Sequence, residues 1–160
     1  MKIGDKVIHP RYGVGTIGAI EERVQDGARR SYYVIPKPSI SSTIFVPVDT
    51  ADELGLRPLS SPEKLRRALQ ILSGEDEILA DSTGIRNLAW SDPLALAGAI
   101  RRGVCEPKSR YPKVSELHQL KRAKKLLAEE IAVVLGLSEE NIAAIIDGSM
   151  SSQAQMAQTA

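Results

Sequence analysis

Near the start of the chain lies Gly4-Asp5-Lys6-Val7-Ile8-His9-Pro10-Arg11-Tyr12-Gly13-Val14-Gly15-Thr16-Ile17-Gly18-Ala19-Ile20, and this stretch decides the fold up to about residue 58. Val7 and Ile8 predict a short apolar strand, and Pro10 prevents that strand from continuing within a central ladder. Gly13 and Gly15 bracket a turn, after which Val14, Ile17 and Ile20 resume a strand. The simplest interpretation is a pair of antiparallel strands joined across residues 10–13.

Further strand signals follow without an intervening helix. Strands are expected at Arg30–Lys37 and Thr43–Val48, with a last short one at Arg57–Leu59. Asp26-Gly27 is typical of a hairpin turn, and the prolines and serines between residues 36 and 42 indicate a loop. Short strands at this spacing predict a small, strongly bent sheet or a partly open barrel.

After residue 59 the apolar period becomes helical, so the fold class is expected to be α+β. Ser60-Ser61-Pro62-Glu63 starts a helix that Gly74 ends, and Asp92-Pro93 starts another that Gly103 ends. A weaker helix is expected over 77–88, and a short one follows Ser138. The longest helix is expected from Glu116 to Leu135, ending at Gly136, with an apolar face of Leu117, Leu120, Leu127, Ile131 and Val134.

The composition indicates a soluble globular protein, with 42% hydrophobic residues and a net charge of +1. One cysteine, Cys105, excludes an internal disulfide and suits a reducing cytoplasm. The sequence has neither the apolar core of a signal peptide nor a run long enough to span a membrane. We therefore expect a cytoplasmic monomer without metal or cofactor.

A glycine motif, Gly13-Val14-Gly15-Thr16-Ile17-Gly18, matches the GxGxxG pattern of dinucleotide-binding loops. Such a loop must end a buried strand and begin a helix, with an acidic residue about 20 positions later for the ribose. Here β-branched residues follow the glycines, and no acidic residue lies between Asp26 and Asp49. Glycines that serve turns and close strand packing are the favoured interpretation.

The sequence offers little catalytic chemistry. His9 and His118 share no short motif with Cys105 or with a carboxylate pair. The pairs Glu129-Glu130 and Glu139-Glu140 are adjacent in helices and therefore point about 100° apart, so solvated helix faces are the expected explanation. No enzyme is predicted.

A basic segment is the remaining candidate site. Residues 97–125 hold nine basic and two acidic residues, and a nucleic-acid backbone is the partner that such a segment suits. The candidate DNA-binding residues are Arg101, Arg102, Lys108, Arg110, Lys121, Arg122, Lys124 and Lys125. Arg101 and Arg102 also suit the C-terminal dipole of their own helix.

The single tryptophan, Trp90, precedes the helix start at Asp92-Pro93. This position favours a packing residue that covers the seam between two helices. A role as a wedge between base steps would require the indole to be exposed beside the basic surface. The sequence is compatible with both interpretations, so Trp90 is a further candidate DNA-binding residue.

Several motifs resemble the CarD/CdnL family of bacterial transcription regulators, whose N-terminal module is also similar to the polymerase-interacting domain of transcription-repair coupling factors. The resemblance is carried by residues 4–10 and 12–15 of the opening stretch, by Tyr32-Tyr33-Val34-Ile35, and by Leu54-Gly55-Leu56-Arg57. Other matching stretches are Ala19-Ile20-Glu21, Val46-Pro47-Val48 and Lys121–Ala132.

The resemblance implies a Tudor-like domain at 1–59 that binds the RNA polymerase β subunit, and a helical domain at 60–148 that contacts promoter DNA and modulates the open complex. Residues 149–160 are expected to be a disordered tail. Arg23 matches a polymerase contact position of the family. The other expected polymerase contacts lie on an edge strand and are Thr43, Ile44, Phe45 and Val46. A polymerase-binding adaptor without DNA contact is the alternative, and a nucleotide-binding enzyme using Gly13, Gly15 and Gly18 is the less favoured one.

Overall fold

The computed structural model describes residues 1–75, 90, 92–105 and 113–146, with backbone alone for 103–105. The chain divides into two compact units, Met1–Leu59 and Ser60–Ala160. All strands of the described residues lie in the first unit and all α-helices lie in the second, which confirms the α+β class. The helix expected at 77–88 and the tail expected at 149–160 lie outside the described residues.

The first sheet of the N-terminal unit contains the predicted opening hairpin. Strands β1 (Lys6–His9) and β2 (Gly13–Thr16) pair antiparallel with Val7 opposite Gly15, so the hairpin is confirmed. The predicted last strand is β6 (Arg57–Pro58), which pairs with the other side of β1. The strand order is therefore β2-β1-β6.

The second sheet is a meander of β3 (Ala19–Gln25), β4 (Ala28–Lys37) and β5 (Ser42–Pro47). Asp26 and Gly27 both have positive φ, 53° and 78°, so the predicted two-residue hairpin turn is confirmed. The loop expected from residue 36 is wrong at its start. Pro36 and Lys37 belong to β4 because they pair with Thr43 and Ser42, and the connection is a single 3-10 turn at Pro38–Ile40.

The chain passes from the first sheet to the second between Ile17 and Gly18. The backbone N–H of Ile17 donates to Asp5 O at 3.0 Å, whereas that of Gly18 donates to Val34 O at 2.8 Å. The prediction that Val14, Ile17 and Ile20 share one strand is therefore wrong, because the adjacent amides of Ile17 and Gly18 bond to different sheets. A strand follows the glycine motif, so the helix that a phosphate-binding loop requires is absent at that place.

One small apolar core holds the two sheets together. Its buried members are Val7, Ile17, Tyr33, Ile35, Val46, Ala51 and Leu56. Gly15 allows the sheets to approach, because a methyl group at this position would lie 2.5 Å from Ile35 Cγ2. Beside this contact, Lys37 Nζ of the second sheet donates to Val14 O of the first at 2.7 Å.

The C-terminal unit contains helices α1 (Pro62–Ser73), α2 (Pro93–Cys105) and α3 (Val114–Leu135), and residues 139–146 are also helical. Most predicted helix ends are confirmed by their caps. Ser61 Oγ accepts from Lys64 N at 3.3 Å, and Asp92 Oδ1 accepts from Leu94 N at 3.1 Å. Gly74 and Gly136 end α1 and α3 with left-handed backbones.

The predicted stop at Gly103 is wrong, because α2 continues to Cys105. Glycine has a helix-interior penalty of only about 1 kcal/mol, which the surrounding turns of a helix can absorb. Among the helices of the described residues, none combines the length and the apolar character that a membrane crossing requires.

Helix α3 packs through its middle rather than through its start. Its buried residues are Ala123, Leu126, Leu127, Glu130 and Ile131. The sequence places Leu117 on this face, but Leu117 is 50% exposed. The first two turns of α3 contain no fully buried side chain. The expectation of a solvated Glu129-Glu130 pair is also wrong for Glu130, which is completely buried, while Glu129 is half-buried.

Glu130 connects α3 to the residue before the cap of α1. Its carboxyl Oε1 accepts a hydrogen bond from the backbone N–H of Ser60 at 2.8 Å. A buried polar group is costly unless it is hydrogen-bonded, so this bond helps to offset the burial of the Glu130 carboxylate. Glu130 therefore fixes the start of α1 against the middle of α3.

We predict that Glu130→Ala lowers the free energy of unfolding by about 1–3 kcal/mol, because the part-buried hydrogen bond from Ser60 N–H to the buried carboxylate is lost. Glu130→Gln retains an acceptor oxygen and should cost less. The measurement is urea unfolding followed by circular dichroism, with Glu129→Ala as the adjacent control, expected within about 0.5 kcal/mol of the unaltered chain. Equal losses for Glu130→Ala and Glu129→Ala would contradict the assignment.

Candidate functional site: an exposed sheet face and a basic helix

The register of the second sheet gives it one face directed to the core and one directed away. Tyr33, Ile35 and Val46 face the core, so the alternate residues of each strand lie on the opposite side. We call this opposite side the outer face. Its members are Glu21 and Arg23 of β3, Arg30, Tyr32 and Val34 of β4, and Thr43, Phe45 and Pro47 of β5.

Two predicted polymerase contacts meet on the outer face. The Arg23 guanidinium carbon lies 3.9 Å from the centroid of the Phe45 ring, although the two residues belong to the two outer strands of the sheet. Phe45 is 39% exposed, and Arg23 is also exposed with only a 3.5 Å ion pair to Glu21. A guanidinium stacked on an aromatic ring keeps its N–H groups available at its edge.

The neighbouring Arg30 has a different environment. Its Nε donates to both carboxylate oxygens of Asp49, at 3.1 and 3.3 Å, and its Nη2 lies 3.1 Å from Asp49 Oδ1. The hydrogen bond that Arg30 donates to Asp49 raises the pKa of Arg30 above its ordinary value. Arg30 is thus already paired with a carboxylate, whereas Arg23 is the more available guanidinium of the face.

Strand β5 forms an open edge of the second sheet within the described residues. The backbone N–H of Val48 donates to Ser31 O of β4. Along an antiparallel strand, the backbone N–H and C=O groups of successive residues point alternately toward one neighbouring strand and away from it. Val46 and Ile44 therefore direct their backbone groups toward β4. Thr43 and Phe45 then direct theirs away from the sheet. Val46 is only 2% exposed and Ile44 packs against the core, so neither side chain is presented to a partner as Thr43 and Phe45 are.

The basic residues of the C-terminal unit divide into different environments. On α3, Lys121 and Lys125 are exposed one turn apart on one face, Arg122 is exposed beside them, and Lys124 is half-buried. Arg102 of α2 is half-buried. Lys108 and Arg110 lie outside the described residues.

Arg101 has a structural environment at the end of α1. A methyl group at Gly74 would lie 3.5 Å from Arg101 Nη2, so the guanidinium stands against the residue that ends this helix. A cation at this place is favourable because the C-terminal end of a helix carries partial negative charge. Of the predicted DNA-binding residues, Arg101 is therefore the one with the clearest packing role.

Trp90 is half-buried, and the Arg122 guanidinium carbon lies 4.7 Å from the centroid of its ring. Two residues later, Asp92 caps α2 and forms an ion pair with Lys64 of α1 at 3.3 Å. The ion pair connects the start of α2 to α1, and the contact between Trp90 and Arg122 connects the residues just before α2 to α3. Sequence spacing gave no signal for the contact between Trp90 and Arg122, because it joins a helix to a residue far away along the chain.

The part of the chain that the structure describes contains no candidate metal site. No group of three or more His, Cys, Asp or Glu side chains is placed there to hold a metal ion. His9 Nδ1 accepts from the backbone N–H of Arg11 at 3.0 Å, and its ring lies 5.0 Å from that of Tyr12. These contacts give His9 a role in the β1–β2 turn.

The chain thus consists of a small β unit, whose second sheet has the outer face described above, and a helical unit with exposed cations on α3. Residues 1–60 match a family model described as "CarD-like/TRCF RID domain". A Bacillus subtilis (strain 168) protein named "Putative transcription factor YdeB" is 26% identical over an alignment of 155 residues, which covers 88% of this chain and 96% of that protein.

Residues 1–60 are thus similar to a CarD-like/TRCF RID domain, which confirms the resemblance inferred from the opening motifs. Similarity to the B. subtilis protein extends through the helical unit as well.

We predict that Trp90→Ala lowers the free energy of unfolding by about 2 kcal/mol, because a half-buried indole loses its packing and its contact with Arg122. Thermal unfolding followed by circular dichroism measures the effect. Leu117→Ala removes an apolar side chain that is 50% exposed and serves as the control, expected within about 0.5 kcal/mol. An unchanged melting temperature for Trp90→Ala would show that the indole does not stabilise the free protein.

Proposed function

We propose that this protein is a transcription regulator that docks on the RNA polymerase β subunit through its N-terminal unit and contacts promoter DNA through its helical unit to modulate the open complex. The observation that carries the proposal is the stack of Arg23 on Phe45 directly beside the open edge of β5. Such an edge offers backbone groups to a partner strand, while the stacked pair offers a cation and an apolar ring.

The polymerase side of the proposal combines two kinds of contact. The backbone groups of Thr43 and Phe45 can pair with a strand of the partner, which gives affinity with little dependence on side chains. Arg23 then adds electrostatic selection, because its guanidinium edge favours a carboxylate on the partner surface. Val46 and Ile44 contribute by holding β5 in register, since their side chains pack inward.

We expect Arg23→Glu and Phe45→Ala to weaken binding of the full-length chain to the polymerase β subunit by about tenfold or more each, or about 1.4 kcal/mol. Arg23→Glu reverses the charge, and Phe45→Ala removes both the ring and the support of the guanidinium. Interferometry with the immobilised β subunit measures the affinity.

The matched controls lie on the opposite side of the same sheet. Arg29→Glu makes the same charge reversal, and Val24→Ala shortens a side chain that is 70% exposed; Arg29 and Val24 face each other in the register. Both controls should bind within about twofold of the unaltered chain. Affinity that is equally reduced by Arg29→Glu and Arg23→Glu would count against the outer face as the binding surface.

The DNA side of the proposal rests on the exposed cations of α3. Lys121, Arg122 and Lys125 are exposed on adjacent positions of the helix surface, while Ala123, Leu126 and Leu127 hold the other side of the helix in the core. Contacts of this kind address phosphates and carry no base sequence. We therefore propose non-specific backbone contacts with promoter DNA.

Replacing Lys121 and Lys125 together by Ala should lower the slope of log affinity against log salt by about 1.8, because each lost phosphate contact contributes about 0.9. Fluorescence anisotropy with promoter duplex bound to polymerase, over a series of salt concentrations, measures the slope. Lys2→Ala with Arg29→Ala removes the same charge from the N-terminal unit and should leave the slope unchanged. Identical slopes for the two double variants would contradict the DNA contact by α3.

A polymerase-binding adaptor without DNA contact is the second candidate. It is favoured because two of the basic residues make contacts within the protein. Arg101 lies against the end of α1, and Arg122 lies against the ring of Trp90. The same salt series distinguishes the candidates, since an adaptor would bind polymerase while adding no DNA-dependent affinity.

A further inference from the structure

The second sheet has another open edge, along β3, on the opposite side of the sheet from β5. In the order β3-β4-β5, no strand of the described residues pairs with the far side of β3. All of its residues from Ile20 to Gln25 are exposed. An unpaired edge strand offers its backbone groups to any strand that can lie beside it.

The β3–β4 hairpin determines which residues of β3 offer these groups. The two-residue turn at Asp26-Gly27 makes Gln25 and Ala28 the first hydrogen-bonded pair of the ladder. Backbone groups alternate along the strand between the neighbouring strand and the open side. The residues of β3 that direct their backbone groups away from β4 are therefore Ile20, Glu22 and Val24.

The side chains of β3 differ between the two sides of the sheet. Ile20 is 43% exposed and Val24 is 70% exposed, and these two apolar residues flank Glu22 on one side. Glu21 and Arg23 lie on the other side, the outer face, and carry opposite charges. Both sides of the strand thus have a pattern that its own reversed copy would complement.

We propose that β3 pairs with the same strand of a second copy of this chain, in an antiparallel arrangement centred on Glu22. Glu22 is the middle residue of Ala19–Gln25, so this register overlaps the whole strand. It also places outward backbone groups opposite outward backbone groups, as an antiparallel ladder requires. A two-fold axis at Glu22 makes the contact self-complementary and closed, so it produces a dimer rather than a fibre.

The side chains match in this register. Ile20 of each copy lies opposite Val24 of the other, which covers apolar groups that are exposed in the single chain. Glu21 of each copy lies opposite Arg23 of the other, which gives a pair of opposite charge on each side of the axis. Moving the axis by one residue places Glu21 opposite Glu21 or Arg23 opposite Arg23, and like charges directly opposite are destabilising.

Three features keep this dimer weak. Arg23 lies over Phe45 in the single chain, so its side chain must turn from that ring to reach the second copy, a rotamer change of a kind common at interfaces. The two Glu22 side chains meet at the axis with like charge. One strand pair is also smaller than the interfaces of about 1,200 Å² or more that hold stable complexes, so we expect a dissociation constant on the order of 100 μM.

The first experiment exchanges the charges of Glu21 and Arg23, using sedimentation equilibrium of the full-length chain at concentrations around the expected dissociation constant. Glu21→Arg and Arg23→Glu should each weaken the dimer about tenfold, because each places like charges opposite on both sides of the axis. The double variant Glu21→Arg with Arg23→Glu restores opposite charges and should return to within about twofold of the unaltered chain. Arg29→Glu makes a matched charge reversal on the neighbouring strand β4 and should change the affinity by less than about twofold.

The second experiment replaces the residue at the axis. Glu22→Thr removes the like charges and introduces a residue that favours strands, so the dimer should become about fivefold tighter. Glu53→Thr removes the same charge at an exposed position outside the strands and should leave the affinity within about twofold. Circular dichroism confirms that each variant is folded.

The two experiments can each overturn the proposal. A double charge exchange that stays as weak as the single variants would overturn the register, and an unchanged or weaker dimer in Glu22→Thr would overturn the axis at Glu22. Monomers alone in the unaltered chain and in Glu22→Thr would overturn the pairing itself. A dimer that none of the β3 substitutions changes would place the contact elsewhere and equally overturn it. The polymerase proposal does not depend on these results, because the chain is measured alone.

Discussion

The close approach of Gly15 to Ile35 is the constraint on which the N-terminal unit depends. The two three-stranded sheets share a core of only seven buried residues, and a side chain at Gly15 would collide with Ile35 Cγ2. Once Ile35 and Val46 are directed into this core, the alternation of the strands directs Thr43 and Phe45 outward. The composition of the outer face is therefore a consequence of core packing, and a shift of register by one residue would change both.

In the C-terminal unit, polar contacts near the helix ends hold the helices against one another. Glu130 joins the middle of α3 to Ser60, and Asp92 joins the start of α2 to Lys64 of α1. Arg122 adds the contact with Trp90. These contacts fix where the helices start, while Leu65, Leu96 and Leu127 supply apolar burial. A substitution near Trp90 or Glu130 can thus alter a functional surface through helix placement as well as through direct contact.

Signals that act over a few residues allowed correct prediction from the sequence. The caps at Ser61 and Asp92, the stop at Gly136 and the turn at Asp26-Gly27 depend on local backbone chemistry, and all of them are confirmed. Errors arose where a distant contact decides the outcome. Glu130 is buried because Ser60 approaches it, Leu117 is exposed because α3 packs through its middle, and Ile17 and Gly18 bond to different sheets. Sequence spacing likewise could not show that Arg23 lies on Phe45 or Arg122 on Trp90, because each pair is joined only by the fold.

The central claim is that the open edge of β5 and the outer face beside it form the polymerase-docking surface. Hydrogen–deuterium exchange of the full-length chain, with and without the polymerase β subunit, tests it most directly because exchange reports backbone amides one segment at a time. The account predicts slower exchange in the complex for residues 42–47, whose outward amides at Thr43 and Phe45 would pair with the partner. Unchanged exchange in this segment, with protection elsewhere in the chain, would contradict it.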